Sequence, residues 1–110
     1  MKPTKAVHET LCATTTTYEL EIGELHREDG PAYILEHDNG DRYEEWAYND
    51  KTHRYGGPAR TFACGWKQYY IHGLEVTKKV EAWLSDMGYD WETMSDIEKW
   101  ELEMFMRTLG

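Results

Sequence analysis

Two histidine-arginine pairs occupy matching places in this chain of 110 residues. The first pair lies in GELHREDGPA, residues 23–32, and the second lies in DKTHRYGGPA, residues 50–59. A repeated histidine with carboxylates nearby could bind a metal ion or serve as a catalytic acid–base group. The repetition could equally mark one turn structure that forms twice. The two interpretations imply different functions.

The spacing of the possible ligands does not favour a metal site. Zinc sites usually contain closely spaced pairs such as His-x3-His or Cys-x2-Cys. The five histidines are scattered, and neither Cys12 nor Cys64 belongs to such a pair. The sequence also lacks a nucleophile elbow, a phosphate-binding loop and a dinucleotide fingerprint. We therefore expect no catalytic residue, no metal ligand and no cofactor, with a small hydrolase or a metal-binding protein as an alternative.

The second copy of the motif favours a structural role, because it replaces the acids Glu28 and Asp29 with tyrosine and glycine. Both copies retain a glycine that lets the backbone turn and a proline that begins a strand without an amide donor. Both also keep a small alanine, where neighbouring hairpins can approach closely. The predicted structural residues are His26, Arg27, Gly30 and Pro31 in the first copy and His53, Arg54, Gly57 and Pro58 in the second.

The side chains of the motif have expected contacts. We expect His26 and His53 to bond backbone carbonyls or to stack on aromatic rings. We expect Arg27 and Arg54 to cover aromatic rings or to pair with carboxylates such as Asp29. Neither role involves catalysis or metal binding, so on this interpretation the motif is a structural element of the scaffold.

Residues 17–73 are predicted to form short antiparallel strands. Tyr18, Leu20 and Ile22 alternate with acids, and a period of two indicates a half-buried strand. The sequence DNGD at residues 38–41 predicts a tight primed hairpin turn, and residues 49–50, 64–65 and 72–73 predict further turns. Residues 1–16 have no periodic apolar pattern, and we expect them to form a flexible arm.

Residues 74–110 change to a helical period. Thr77 is the expected N-cap of a first helix that ends at Gly88. Ser95 and Glu98 have the spacing of a capping box at the start of a second helix. The apolar stripe predicted for that helix consists of Ile97, Trp100, Met104 and Phe105, which Leu102, Met106 and Leu109 broaden beyond the needs of one small core.

These patterns together predict one α+β domain, which is also what a chain of this length allows. A flexible arm at residues 1–16 precedes a repeat β-sheet region at residues 17–73 and an acidic helical region at residues 74–110. The expected architecture is an antiparallel β-hairpin meander of about five strands from two repeats, followed by two C-terminal helices.

The motif and the aromatic strands around it resemble a β-hairpin repeat of phage and giant-virus proteins, loosely similar to MORN-type hairpins. Residues 25–32, LHREDGPA, match that pattern closely, and the second copy keeps His-Arg and Gly-Pro-Ala. The resemblance covers roughly residues 17–73. It implies a hairpin fold module of viral or mobile-element origin, and it implies no single activity.

The acidic composition excludes some partners. The net charge is −9, and residues 81–110 hold eight acids against Lys99 and Arg107. Because a negative surface repels nucleic acid, we expect no direct nucleic-acid binding.

No stretch reaches the roughly 18 apolar residues of a membrane span, and the first residues lack the apolar centre of a signal peptide. We therefore predict a cytoplasmic protein without membrane contact, located in the host cytoplasm if it is viral.

The excess of aromatic residues among acids favours protein binding. We predict a non-enzymatic accessory module, such as a phage-encoded inhibitor of a host defence. Its acidic surface is expected to dock on a basic host protein, for example a nucleic-acid-handling enzyme. The alternative is a structural scaffold that forms homodimers through the second helix. The predicted partner-binding residues are Trp91, Glu92, Glu98, Trp100, Glu101, Glu103 and Phe105.

Overall fold

The computed structural model describes residues 2–110 and contains a mostly antiparallel β-structure followed by two helices, an α+β fold. Six strands form one sheet in the order β1-β2-β3-β4-β7-β8, and two small hairpins, β5-β6 and β9-β10, lie beside it. The strands are β1 Thr4–Glu9, β2 Ala13–Glu19, β3 Tyr33–His37, β4 Arg42–Glu45, β5 Ala47–Tyr48, β6 Lys51–Thr52, β7 Arg60–Thr61, β8 Lys67–Gln68, β9 Tyr70–Ile71 and β10 Leu74–Glu75. The helices are α1 Thr77–Met87 and α2 Asp96–Leu109, with a 3-10 turn at Trp91–Thr93 between them.

The N-terminal segment is not a loose arm without secondary structure, as predicted, but a β-hairpin. Strands β1 and β2 pair from Thr4 opposite Glu19 to Glu9 opposite Thr14. The run of threonines in β2 favours extended backbone because these side chains branch at Cβ. The strand predicted at residues 18–22 was also misplaced, since β2 ends at Glu19 and Ile22 is 80% exposed in the following turn.

The predicted turns form at the expected positions, but the type predicted for the turn at residues 38–41 is wrong. In the 38–41 turn only Gly40 has a positive φ, of 93°, and the His37 N–H donates to the Asp41 carbonyl oxygen at 2.8 Å. This geometry is that of a bulged hairpin turn and not of the predicted primed turn. Both central residues have positive φ at Asn49-Asp50 and at His72-Gly73, which is the geometry of the primed class.

Because the chain leaves the main sheet after β4 and again after β8, it forms ten short strands where about five were predicted. The hairpins β5-β6 and β9-β10 stack beside the turn that follows β2. Two backbone bonds join this row: the Asp50 N–H donates to the Leu25 carbonyl oxygen at 2.8 Å, and the Gly73 N–H donates to the Thr52 carbonyl oxygen at 2.8 Å. The side row therefore places both copies of the motif along one edge of the molecule.

Local sequence signals set the helix ends, with one difference. Gly88 adopts a φ of 73° and closes α1, and Ser95 with Glu98 makes the predicted capping box of α2. Thr77 is the first residue of α1 and does not cap it; the N-cap is Val76. The Thr77 hydroxyl instead accepts a hydrogen bond from the Tyr69 N–H at 2.9 Å, so it ties the helix start to the last hairpin.

The hydrophobic core lies between the two helices and the last hairpin. Its buried members are Tyr69, Ile71, Val76, Val80, Leu84, Met94, Leu102 and Met106. The stripe predicted for α2 is therefore wrong for Ile97, Trp100 and Met104, which are exposed. Helix α2 is rotated so that Leu102 and Met106 face α1 and β9, because those elements supply the apolar partners. Within residues 2–110, neither helix has the length and apolar character needed to cross a bilayer.

Candidate functional site

The arginines of the two motifs make equivalent contacts. The guanidinium carbon of Arg27 lies 4.0 Å from the centre of the Tyr18 ring, and that of Arg54 lies 3.8 Å from the centre of the Trp46 ring. Each arginine also donates through Nη1 to the carbonyl oxygen of the proline four residues later, at 3.2 Å. The predicted stacking is confirmed, and each arginine closes its own loop.

The glycines of the motif are required for space and not for backbone freedom, which corrects the prediction. Neither Gly30 nor Gly57 is among the residues with positive φ. A Cβ atom on Gly57 would lie 2.7 Å from the guanidinium carbon of Arg54 and 2.8 Å from the ring of Trp91. A Cβ atom on Gly30 would meet Arg27 at 2.7 Å. Each arginine therefore lies directly against the Cα atom of its glycine.

One prediction was that the motif histidines donate hydrogen bonds to backbone carbonyl groups. This prediction is wrong, because both histidines accept hydrogen bonds instead. His26 Nδ1 accepts from the Asn49 N–H at 3.0 Å, and His53 Nδ1 accepts from the His72 N–H at 2.9 Å. A ring nitrogen that accepts carries no proton, so these contacts require neutral imidazoles. The predicted stacking is confirmed for His53, whose ring lies 4.1 Å from the His72 ring with the two planes 12° apart. The His26 and Tyr48 rings are in contact, with centres 4.5 Å apart, but their planes are tilted by 53°.

Burial, together with the charges of His72 and Arg107, lowers the pKa of His53 from 6.5 to about 4, and burial is the largest of these causes. His53 is therefore neutral at pH 7, in keeping with its role as an acceptor. Burial likewise lowers the pKa of Arg54 to about 10, yet this arginine remains charged at neutral pH. The two neighbouring groups differ in charge although both lie in the second motif.

A cavity of about 280 Å³ lies between the two motifs and α2. Its lining includes the predicted residues Arg27, His53 and Arg54. It also includes Tyr48 and Arg107, which sequence reasoning did not single out. No local signal could have joined Arg107 to the motif, because Arg107 lies 53 positions after Arg54 in the chain.

The three predicted aromatic anchors differ in exposure. Phe105 stacks on Trp83 with ring centres 5.1 Å apart, and Trp91 packs at the edge of the core, where Lys99 Nζ lies 4.6 Å from its ring centre. Trp100 is 59% exposed. Of these three side chains, Trp100 is therefore the one that offers most of its surface to a partner.

The predicted acidic residues bond other residues of the chain. Glu92 forms an ion pair with Lys67, and Glu103 forms one with Arg107 at 2.8 Å. Glu98 accepts from the Ser95 N–H at 2.8 Å. The Tyr89 hydroxyl donates to Glu101 at 3.2 Å, and the pKa of Tyr89 is raised by desolvation and by this carboxylate. These four acids are thus held in fixed positions around α2.

One face of α2 is apolar and exposed. Ile97, Trp100 and Met104 stand at i, i+3 and i+7 and are 74%, 59% and 37% exposed. We call these three residues the α2 ridge. Ile97 was not among the residues expected at an interface, although the broad apolar pattern of the helix was a signal that one side would remain outside the core.

Within residues 2–110, no group of three or more His, Cys, Asp or Glu side chains could hold a metal ion. Cys12 and Cys64 are free and exposed. No protein-family model, curated protein or solved structure matches this chain.

Proposed function

We propose that the chain is a non-enzymatic protein-binding module whose contact surface is centred on the α2 ridge. The exposed apolar face of Ile97, Trp100 and Met104 is the observation that carries this proposal. Folding leaves apolar area in water at a cost, and a contiguous apolar face on one helix is typical of an interface. Tryptophan is the side chain that most often dominates binding energy when an interface buries it.

The acids around the ridge favour a partner with a basic surface. Residues 81–110 carry a balance of eight acids to two bases. Because the fixed carboxylates surround apolar anchors, the acids would orient the partner and speed its approach, and burial of the ridge would supply affinity. We propose a basic host protein of the cytoplasm, such as a nucleic-acid-handling enzyme that a phage inhibitor would block.

The proposal includes the origin of the scaffold. The two motifs make matching arginine, histidine and proline contacts, which supports two copies of one MORN-like hairpin repeat of the phage and giant-virus type. In such an arrangement the hairpins serve as a support, and the helices present the binding surface.

Quantitative affinity capture from bacterial lysate tests the function. Wild type, Trp100→Ala and Trp66→Ala are compared, because Trp66 is an equally exposed tryptophan, 60%, in the β7-β8 loop outside the ridge. We expect wild type and Trp66→Ala to retain at least one host protein that Trp100→Ala loses. This host protein should associate more slowly at high salt, because salt screens the acidic surface. The proposal is wrong if no captured protein depends on Trp100.

A homodimer is the second candidate, and the edge strand β1 favours it. All six residues of Thr4–Glu9 are exposed, and β1 has only β2 as a neighbour in the sheet. Edge strands with free backbone groups can pair with a second copy. Light scattering over a range of concentrations tests this candidate: a monomeric mass at every concentration would exclude it, and a dimer lost on Val7→Pro would support it.

A further inference from the structure

The cavity between the motifs and α2 has an unusual charge for so acidic a chain. Three arginines line it, Arg27, Arg54 and Arg107, against two acids, Glu28 and Glu103. The whole chain, by contrast, has a net charge of −9. The fold has thus gathered three of its few basic residues from distant parts of the sequence at one concave site.

Arg54 is the central feature of this site. None of the ion pairs among residues 2–110 includes it, whereas Arg27 pairs with Asp29 at 3.1 Å and Arg107 pairs with Glu103 at 2.8 Å. Its Nη1 bond to the Pro58 carbonyl oxygen leaves most of its five N–H donors for other partners. A partly desolvated cation without a carboxylate partner is costly, and an anionic ligand would offset that cost.

The same cavity has aromatic walls. Tyr48, His53 and Tyr55 line it, and neighbouring rings meet edge to face, with centres 6.2 Å and 4.6 Å apart. The guanidinium carbon of Arg107 lies 4.4 Å from the centre of the Tyr55 ring. An aromatic ligand can pack against the edges or faces of such rings, because both arrangements are favourable. The site therefore combines arginine side chains with aromatic side chains.

We propose that this cavity binds a small phosphate-bearing ligand of mononucleotide size. Arginine presents a planar fork of donors that matches phosphate oxygens, and it is the basic side chain best suited to such recognition. The volume of about 280 Å³ lies near the lower end of small-molecule sites, roughly 300 Å³, so a single nucleotide fits better than a larger ligand. The site does not depend on the α2 ridge or on a protein partner.

Titration calorimetry of the full chain with AMP, inorganic phosphate and adenosine tests the proposal. We expect AMP to bind with a Kd below about 1 mM, and phosphate and adenosine to bind at least about tenfold more weakly, since each offers only half of the recognised chemistry. Added salt is expected to weaken AMP binding, because the guanidinium contacts are screened.

Two arginine variants separate the site from general charge effects. Arg107→Ala removes one cavity arginine that is itself largely exposed, and Arg42→Ala removes an arginine of the sheet that pairs with Glu36 and Glu44 outside the cavity. AMP affinity should fall at least about tenfold in the first and stay unchanged in the second. Circular dichroism confirms that both variants are folded. The proposal is overturned if AMP does not bind, if adenosine or phosphate binds as tightly as AMP, or if the two variants behave alike.

Discussion

At the scale of single residues, each motif is built around an arginine that lies flat between a ring and a glycine. Arg54 covers Trp46 on one side, and the Cα atom of Gly57 approaches it from another. The loop contains no strained φ at Gly57, so its glycine is there because any side chain would displace the guanidinium. Sequence reasoning recognised the glycine as essential but assigned it the wrong physical role.

Gly57→Ala is expected to destabilise the fold more than Gly30→Ala. The new methyl group at position 57 would overlap both Arg54 and the ring of Trp91, which is packed against the core. At position 30 its three nearest atoms would all belong to the flexible side chain of Arg27. Overpacking of this kind costs about 1–3 kcal/mol, and we expect Gly57→Ala to fall in that range. Urea unfolding of the two variants measures the difference; equal losses would contradict the steric explanation.

At the scale of elements, the stacked hairpins are joined by histidines that act as acceptors. His26 receives the N–H of the β5-β6 turn, and His53 receives the N–H of the β9-β10 turn. The histidines lie 23 and 19 positions before the residues whose N–H groups they accept, so each imidazole links one turn to the next hairpin of the row. Each histidine link adds to the backbone bonds of the row, and it forms only while Nδ1 of its ring carries no proton.

This link predicts that stability depends on pH between about 6.5 and about 4. The unfolded chain binds a proton at His53 near pH 6.5, whereas the folded chain resists it until about pH 4. Because the unfolded state holds more protons in this window, the free energy of unfolding should fall as the pH is lowered through it. His53→Asn should reduce that fall, since its side-chain oxygen accepts the same N–H and does not titrate.

Urea unfolding at several pH values measures the effect, and His37→Asn is the control. His37 lies exposed at the end of β3 and accepts no bond from a neighbouring hairpin. Apart from the substituted histidines, the three proteins carry the same ionisable groups. If wild type and His53→Asn lose stability in parallel as the pH falls, His53 does not link the hairpins in this way.

At the scale of the whole molecule, the core and the sheet are unevenly distributed. The largest cluster of buried residues lies at the helical end, whereas the six-stranded sheet buries Ile34, with Ala32 and Ala59 buried just before β3 and β7. The radius of gyration is 14.7 Å, above the roughly 13 Å of a compact domain of this length. The molecule is therefore extended, with its main source of hydrophobic stability at one end.

Leu102→Ala is expected to cost about 2–5 kcal/mol of unfolding free energy, because it opens a cavity in the helical core, where Leu102 is fully buried. Ile97→Ala on the exposed side of the same helix should change stability by no more than about 0.5 kcal/mol. Urea unfolding followed by tryptophan fluorescence measures both. A similar effect of the two substitutions would mean that Leu102 does not face the core while Ile97 faces solvent.

The sequence by itself determined the features that depend on neighbours a few positions apart. The turns at 38–41, 49–50 and 72–73, the stop at Gly88 and the Ser95 capping box all formed where predicted, because a turn or a cap is made by the residues within it. The α+β class followed from the change of apolar period near residue 74.

Only the tertiary structure decided which side of each element meets the rest of the chain. Helix α2 has apolar residues on two sides, and the position of α1 and β9 selected Leu102 and Met106 for the core and left Trp100 outside. The threonine-rich strand β2 pairs with the edge of β3, and β1 pairs with the other edge of β2. Pairing partners and core contacts are distant in sequence, so no local pattern could specify them, and the arginine-lined cavity exists for the same reason.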